Sequence, residues 1–467
     1  MTQLASRPRA AAPAGGAGAL RPSPPGPPLT AVPRLLRALI TDRLGLMAEG
    51  TRYGDAARLR MGPRTVHLFN SPEAAKHVLA DNADNYVKGI GLVQARRAIG
   101  DGLLTSDGEL WRTQRALIRP AFQHKRIVAR ADVVAGEATA LAGRLGELVG
   151  RGPVDVGERM TELTLGVLGH ALLDADLASA AGGGVARIGR AFEAVQAQAM
   201  FEMVTLSAVP TWLPLAGQLR FRRARRDLER IVARLVHERG RRPPGEDVLS
   251  RLVASAGRET DPAVGRRRVR DELVTLLLAG HETTASTLTW TLHLVDQHPD
   301  VARRLHEEAV AVLGDRPPRY EDLQALTYTA QVVQEVMRLY PPVWILPRQA
   351  VADDEVAGFH VPAGADVVVC PYTMHRHPGL WDDPARFDPE RFAPDRTEDR
   401  PRYAYIPFGG GPRYCVGSQL GTMEAVFVVA TLARSLRLRG IPGRAAVPEP
   451  MLSLRVRGGL QMTVHPV

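Results

Sequence analysis

Near the C-terminus the chain reads PFGGGPRYCVGSQL, Pro407–Leu420. One of the two cysteines in 467 residues stands here, Cys415, where a glycine-rich loop meets an apolar, helix-like run. A thiol at a helix N-terminus faces free amide donors and the positive end of the helix dipole, and both favour the thiolate. Glycines at 409, 410, 411 and 417 let backbone approach something large and flat that side chains would keep away. Thiolate plus close backbone approach suits a metal-bound sulfur.

No second Cys or His stands at zinc spacing, which argues against a closed zinc site. A single thiolate is enough for an iron already held by four macrocycle nitrogens, as in haem with a proximal cysteine. On the loop alone, a buried structural cysteine and a nucleophile beside a base remain open. Cys370, in the apolar run VVVC, reads as the structural kind.

Around this loop the composition sets bounds. The 45% of hydrophobic residues permit a sizeable core. Two distant cysteines make no disulfide framework, so a reducing compartment is expected. The net charge is +10, and Lys76, Lys88 and Lys125 are the only lysines. The arginines are dispersed among 50 acids and aromatics are only 5%, which argues against nucleic-acid binding. Residues 1–28, ending in PSPPGPP, lack the apolar run of a signal peptide or membrane anchor. Met1–Ala19 reads as a disordered tail and PPGPP as a stiff lead-in. Residues 29–467 are expected to form one large domain, soluble and cytoplasmic.

The elements read as mainly α with a small β region. Strand-like segments appear at Ala57–Arg60 and Val66–Phe69, and helical patterns break at Pro153, Pro210 and Arg239–Glu246. The run Arg270–Val295 is apolar or small on nearly every face, so it predicts a helix buried on nearly every side. His281 and Glu282 in its middle argue against a membrane span. Further helices are predicted over Asp300–Leu313 and over Glu321–Tyr340, the latter stopped by Pro341-Pro342. Val351–Val361 and Asp366–Val369 read as strands, Pro371–Tyr403 as irregular, and a helix is predicted after Cys415 to about Leu436. Met451–Val464, with its Gly-Gly turn, reads as a β-hairpin.

The long helix carries Ala279-Gly280-His281-Glu282-Thr283. Thr283 is placed to back-bond to the carbonyl of Ala279, which bends a helix and opens a groove beside Gly280. Glu282 can serve there as a proton source; a satisfied helix interior, with Glu282 paired to an arginine, is the competing reading. His281 reads as structural or solvent-facing, with a proton relay as the alternative. Glu335 and Arg338 share one helical face, and so do Trp111 and Arg115.

Phe408, Gly411, Arg413, Cys415 and Gly417 match the pattern F-x-x-G-x-R-x-C-x-G at every fixed position, and the chain resembles the cytochromes P450. The resemblance runs in family order from Trp111 to Gly417, with Gly421 as one departure where many members have Ala. It implies the triangular-prism fold and a haem b whose axial ligand is Cys415. It implies that Ala279, Gly280, Glu282 and Thr283 form the oxygen-activation motif, with Thr283 steadying activated oxygen and Glu282 helping to deliver protons. It implies that Glu335 and Arg338, with Arg391 of PERF, form a buried structural triad. Trp111, Arg115, Arg348 and Arg413 are implied as propionate contacts and Phe408 as part of the haem loop. The implied reaction is monooxygenation by dioxygen. With the chain ending at Val467, the electron donors are expected to be separate, a ferredoxin and an NAD(P)H-dependent ferredoxin reductase. A lipophilic substrate is expected against Leu276, Val343, Leu346 and Leu452. PPVWILPRQAV, Pro341–Val351, is similar to actinobacterial members that oxidise terpenes. Coupling, desaturation or peroxide-driven oxidation on the same scaffold, and a non-catalytic haem sensor or carrier, are the rival readings.

Overall fold

The computed structural model describes residues 22–61, 64–181, 185–205, 207–210, 212–243 and 245–467. The tail Met1–Ala19 lies outside the described residues. The proline lead-in lies against strands: the carbonyl of Pro25 accepts from the Arg58 amide at 2.7 Å and that of Pro22 from the His360 amide at 3.1 Å.

The organising element is the 36-residue helix Pro262–Gln297. It begins two turns before the predicted start. Asp261 caps it by accepting from the Ala263 amide at 2.8 Å, with Pro262 in the first turn. Its opening turns carry exposed Arg266, Arg267 and Arg268, so no apolar stripe announces them. The segment Val269–Leu278 enters one apolar core, with helices Val185–Val204 and Ala216–Gly240. The segment Ala285–Leu294 enters another, with helices Thr327–Leu339 and Ser418–Ser435. Between them the burial lapses. Ala279 is exposed and Gly280, Glu282 and Thr283 are half-buried, because they face an internal cavity rather than packed neighbours.

A five-stranded sheet lies in the order Ala56–Met61, Arg64–Phe69, Asp366–Val369, Leu346–Ala350, Tyr86–Lys88. Only Arg64–Phe69 and Asp366–Val369 run parallel. The register sets Lys88 opposite Arg348. The strand expected over Val351–Val361 is instead a short hairpin, Asp354–Val356 with Phe359–Val361, turning at Ala357 and Gly358, both at positive φ.

Two further predicted elements are corrected. Glu321–Tyr340 is not one helix: a 3-10 turn, Tyr320–Gln324, precedes the helix Thr327–Leu339. The carboxylate of Glu308, from another helix, caps that second start, accepting from the amides of Tyr328 at 2.6 Å and Thr329 at 2.8 Å. Met451–Val464 is not a hairpin. Leu454–Val456 pairs with Pro448–Pro450, while Gln461–Pro466 pairs with Leu436–Gly440 and Val154–Asp155. The Asp155 carboxylate takes the Leu460 amide and the Gln461 side chain, both at 3.2 Å, and draws the second arm away. Among the described residues no helix is long and apolar enough to cross a membrane.

Candidate active site

A cavity of about 380 Å³ lies between the long helix and the loop Pro407–Gly421. The loop is fixed by its own backbone: the Cys415 amide donates to the Phe408 carbonyl at 3.0 Å and the Tyr414 amide to Gly411 at 3.1 Å. Gly411 has φ of +63°, and a Cβ there would meet the Leu79 carbonyl oxygen at 1.8 Å. Gly411→Ala is expected to cost at least about 1–2 kcal/mol from left-handed backbone alone. The collision adds to that, so thermal unfolding should come earlier and the purified protein should hold less cofactor.

Cys415 is enclosed by protein, yet its accessible surface is substantial because it opens into the cavity. Burial pushes its thiol up, against the Gly417 and Ser418 amides and the charge of Arg115, which pull it down. The amides at the helix N-terminus thus favour the thiolate, as the sequence implies, while burial opposes it.

Four basic side chains gather at the same cavity: Lys88, Arg115, Arg348 and Arg413. Arg413 donates to Asp107 Oδ1 at 2.6 Å and to the Ser106 carbonyl at 3.2 Å, and its guanidinium stands 4.5 Å from the Trp111 ring centre. Arg115 donates to the Tyr414 carbonyl at 2.9 Å and lies 5.5 Å from the same ring. Arg348 donates to the Pro347 carbonyl at 2.9 Å. Burial, and then the neighbouring arginines, hold the Lys88 ammonium well below its usual value, and bring Arg348 down to about 10. Asp107 is the one carboxylate acting on this group in both cases. Buried cations in excess of anions are unfavourable unless an anionic partner joins them. A flat ligand with two carboxylates answers that imbalance, so the residues fit a haem. Lys88 is the member that sequence reasoning missed, although its scarcity in an arginine-rich chain was a usable signal.

On the opposite wall Thr283 Oγ1 donates to the Ala279 carbonyl at 2.9 Å. A Cβ on Gly280 would meet the Leu168 side chain at 2.8 Å. Among the described residues Glu282 pairs with no arginine by hydrogen bond. It accepts from Ser453 Oγ at 2.8 Å and bonds Gln196, and burial pushes its carboxyl up. His281 is buried, not solvent-facing: Nδ1 bonds the Leu277 carbonyl, the ring lies 5.1 Å from Phe192, and burial brings it down to about 4, so it is neutral. Leu276, Val343, Leu346 and Leu452 all line the cavity. So do Leu103, Leu104, Met200 and Met203, which the sequence did not single out.

Glu335 and Arg338 are fully buried and bidentate, Nε to Oε2 at 2.6 Å and Nη2 to Oε1 at 2.8 Å. Arg338 also donates to the carbonyls of His375, Pro384 and Arg386. Arg391 Nε stands 3.5 Å from Glu335 Oε1, an ion-pair distance without a hydrogen bond, and its Nη2 donates to the Asp383 carbonyl at 2.8 Å. The helix bearing Glu335 also gives Val333 and Met337 to the cavity. At Gly421 an alanine Cβ would sit 3.5 Å from Thr284 Oγ1, an ordinary contact, so this departure leaves the geometry intact.

Cysteine loop, cationic cluster and long-helix motif together meet the comparisons with known proteins. The family model "Cytochrome P450" matches residues 24–462. The chain is 38% identical over 426 residues to cyclooctatin synthase of Streptomyces melanosporofaciens, covering 91% of each. It is 35% identical to cyclooctat-9-en-7-ol 5-monooxygenase of the same organism, covering 86% of each. To pentalenene oxygenase of Streptomyces avermitilis it is 32% identical, over 85% of this chain and 86% of the relative. The solved structure "Retinoic acid bound cyanobacterial CYP120A1" superposes with a TM-score of 0.82 at 25% identity, over 96% of this chain and 100% of the other. With a match running from the proline lead-in into the last strand, the chain belongs to the cytochrome P450 family, a monooxygenase with a haem-iron cofactor.

Proposed function

We propose that the chain is a haem-thiolate monooxygenase that hydroxylates or otherwise oxidises a lipophilic terpenoid, working in the cytoplasm through residues 29–467. Haem b is the proposed cofactor, and Cys415 would hold its iron. Lys88, Arg115, Arg348 and Arg413, with Trp111, would hold its carboxylates, and Phe408, Ala279 and Gly280, which line the same cavity, would contact it. The observation that carries this reading is the cationic cluster, with Lys88 and Arg348 buried, opening on the same cavity as the one exposed cysteine. When bound, the haem supplies the activation of dioxygen. The electrons come from a ferredoxin and an NAD(P)H-dependent ferredoxin reductase.

The chain's own residues handle protons and water. Glu282, whose carboxyl burial pushes up, is the group placed to hold and pass a proton. Thr283 has committed its own proton to Ala279, so its oxygen is left to accept one passed along the helix. The apolar wall of Leu276, Val343, Leu346 and Leu452 excludes water and receives hydrocarbon. The relatives' names support a terpenoid: cyclooctat-9-en-7-ol and pentalenene are the molecules they carry.

The test is titration of the purified protein with cyclooctat-9-en-7-ol and with pentalenene, followed by turnover with a surrogate ferredoxin pair. A spin-state shift and an oxidised product are expected. Thr283→Ala should keep consuming NAD(P)H while product per NAD(P)H falls roughly tenfold or more and hydrogen peroxide accumulates. Product and NAD(P)H consumption falling in step would argue against this role for Thr283.

A further inference from the structure

The segment Gly100–Asp107 carries Leu103 and Leu104 into the cavity wall, and the long helix holds it in an unusual way. The Asp101 amide donates to Asp271 Oδ2 at 3.0 Å and the Leu103 amide to Glu272 Oε2 at 3.2 Å. Asp271 and Glu272 are adjacent and both buried. Asp271 has Arg270 Nε at 2.7 Å, but Glu272 has no cation among its contacts, and its Oε1 is buried without a partner. Burial, and beyond it the neighbouring Asp271, push the Glu272 carboxyl up to about 8. Two neighbouring buried carboxyls are a costly choice for a helix face that leucine could fill. What they serve is the backbone laid over them.

That backbone lies very close. A Cβ at Gly102 would meet Thr275 Oγ1 at 2.0 Å and the Asp271 carbonyl oxygen at 2.6 Å; one at Gly100 would meet the Asp271 carboxyl at 2.3 Å. The segment is also braced internally. Thr105 Oγ1 donates to the Gly100 carbonyl at 2.6 Å, and Gln114 Nε2 to that of Asp101 at 2.8 Å. At its far end Ser106 and Asp107 accept from Arg413 of the cationic cluster. Leu103 and Leu104 are thus strung between two fixed points, the long helix and the haem-side arginine.

We propose that Asp271 and Glu272 are positioning residues that clip Gly100–Leu104 to the long helix and thereby fix the cavity wall at Leu103 and Leu104, selecting for lipophilic ligands bulky enough to reach it. The proposal rests on this cavity being the ligand site of the proposed function, and it is independent of which terpenoid fills it. A small ligand at the iron does not feel the clip; a large one does.

The experiment uses the holoenzyme with two probes, imidazole and the bulky clotrimazole, titrated by the Soret shift, and amide hydrogen exchange over residues 100–106. In Glu272→Ala the exchange should quicken roughly three- to tenfold, the worth of one hydrogen bond. The clotrimazole Kd should rise by a similar factor, with the imidazole Kd unchanged. Glu272→Gln keeps an oxygen for the Leu103 amide and should behave like the natural protein. Gly102→Ala, whose side chain would strike Thr275, should resemble Glu272→Ala by an independent route. Unchanged exchange and unchanged clotrimazole binding in both alanine variants would overturn the clip. Equal weakening of both azoles would do so too, since it would place the effect at the iron. A protein showing no Soret shift with either azole contradicts the haem reading instead, and the exchange data still decide the clip.

Discussion

Cys415→Ser is expected to give a folded chain that retains little or no haem and forms no monooxygenation product above background. Serine matches the size of cysteine, and the loop that positions it is held by backbone bonds from Cys415 to Phe408 and from Tyr414 to Gly411, which the substitution does not touch. What it removes is sulfur. A hydroxyl ionises far less readily than a thiol, and it lacks the soft, electron-donating character by which thiolate favours O–O cleavage. Among the described residues no histidine and no second cysteine lines the cavity. Cys370 is fully buried, with Sγ 3.3 Å from the Trp344 carbonyl. Haem per chain and product formation are the measurements, with Cys370→Ser as the control that should keep both. Normal haem content and an unaltered spectrum in Cys415→Ser would remove Cys415 from the iron.

Glu335→Ala carries the next largest effect, on stability. Both members of the Glu335–Arg338 pair are fully buried. Losing the carboxylate leaves a guanidinium among carbonyls with no counter-charge, which costs about 3–5 kcal/mol. An unfolding entropy of roughly 2.1 cal/mol/K per residue gives this chain of 467 residues about 1 kcal/mol/K. The expected fall in Tm is therefore about 3–5 °C, read by calorimetry on the holoenzyme. Arg391→Ala should cost clearly less, because Arg391 meets Glu335 at 3.5 Å without a hydrogen bond. Equal losses in the two variants would show that the three residues act as one unit.

The parts of this account legible in the sequence are those whose chemistry is local. The loop Pro407–Leu420 announces itself by a scarce thiol among glycines. The Thr283 back-bond spans four residues of one helix, and the Glu335–Arg338 pair spans three. What was not legible depends on partners distant in the chain. Lys88 reaches the cationic cluster through the pairing of Tyr86–Lys88 with Leu346–Ala350, a register no local pattern encodes. The partners of Glu282 come from another helix and from a turn beyond residue 450. Glu308 breaks a predicted helix and Asp155 redirects a predicted hairpin, each a single carboxylate from another element. His281 has helical company that hides whether it faces solvent, and only the packing of Phe192 decides it.

The most direct test of the central claim, that Cys415 binds haem iron as a thiolate, is the absorption spectrum of the purified, dithionite-reduced protein under carbon monoxide. The red-shifted Soret band that names the family is the expected result. A band only at the shorter wavelength of a neutral-thiol or histidine complex, from well-folded protein, would contradict it.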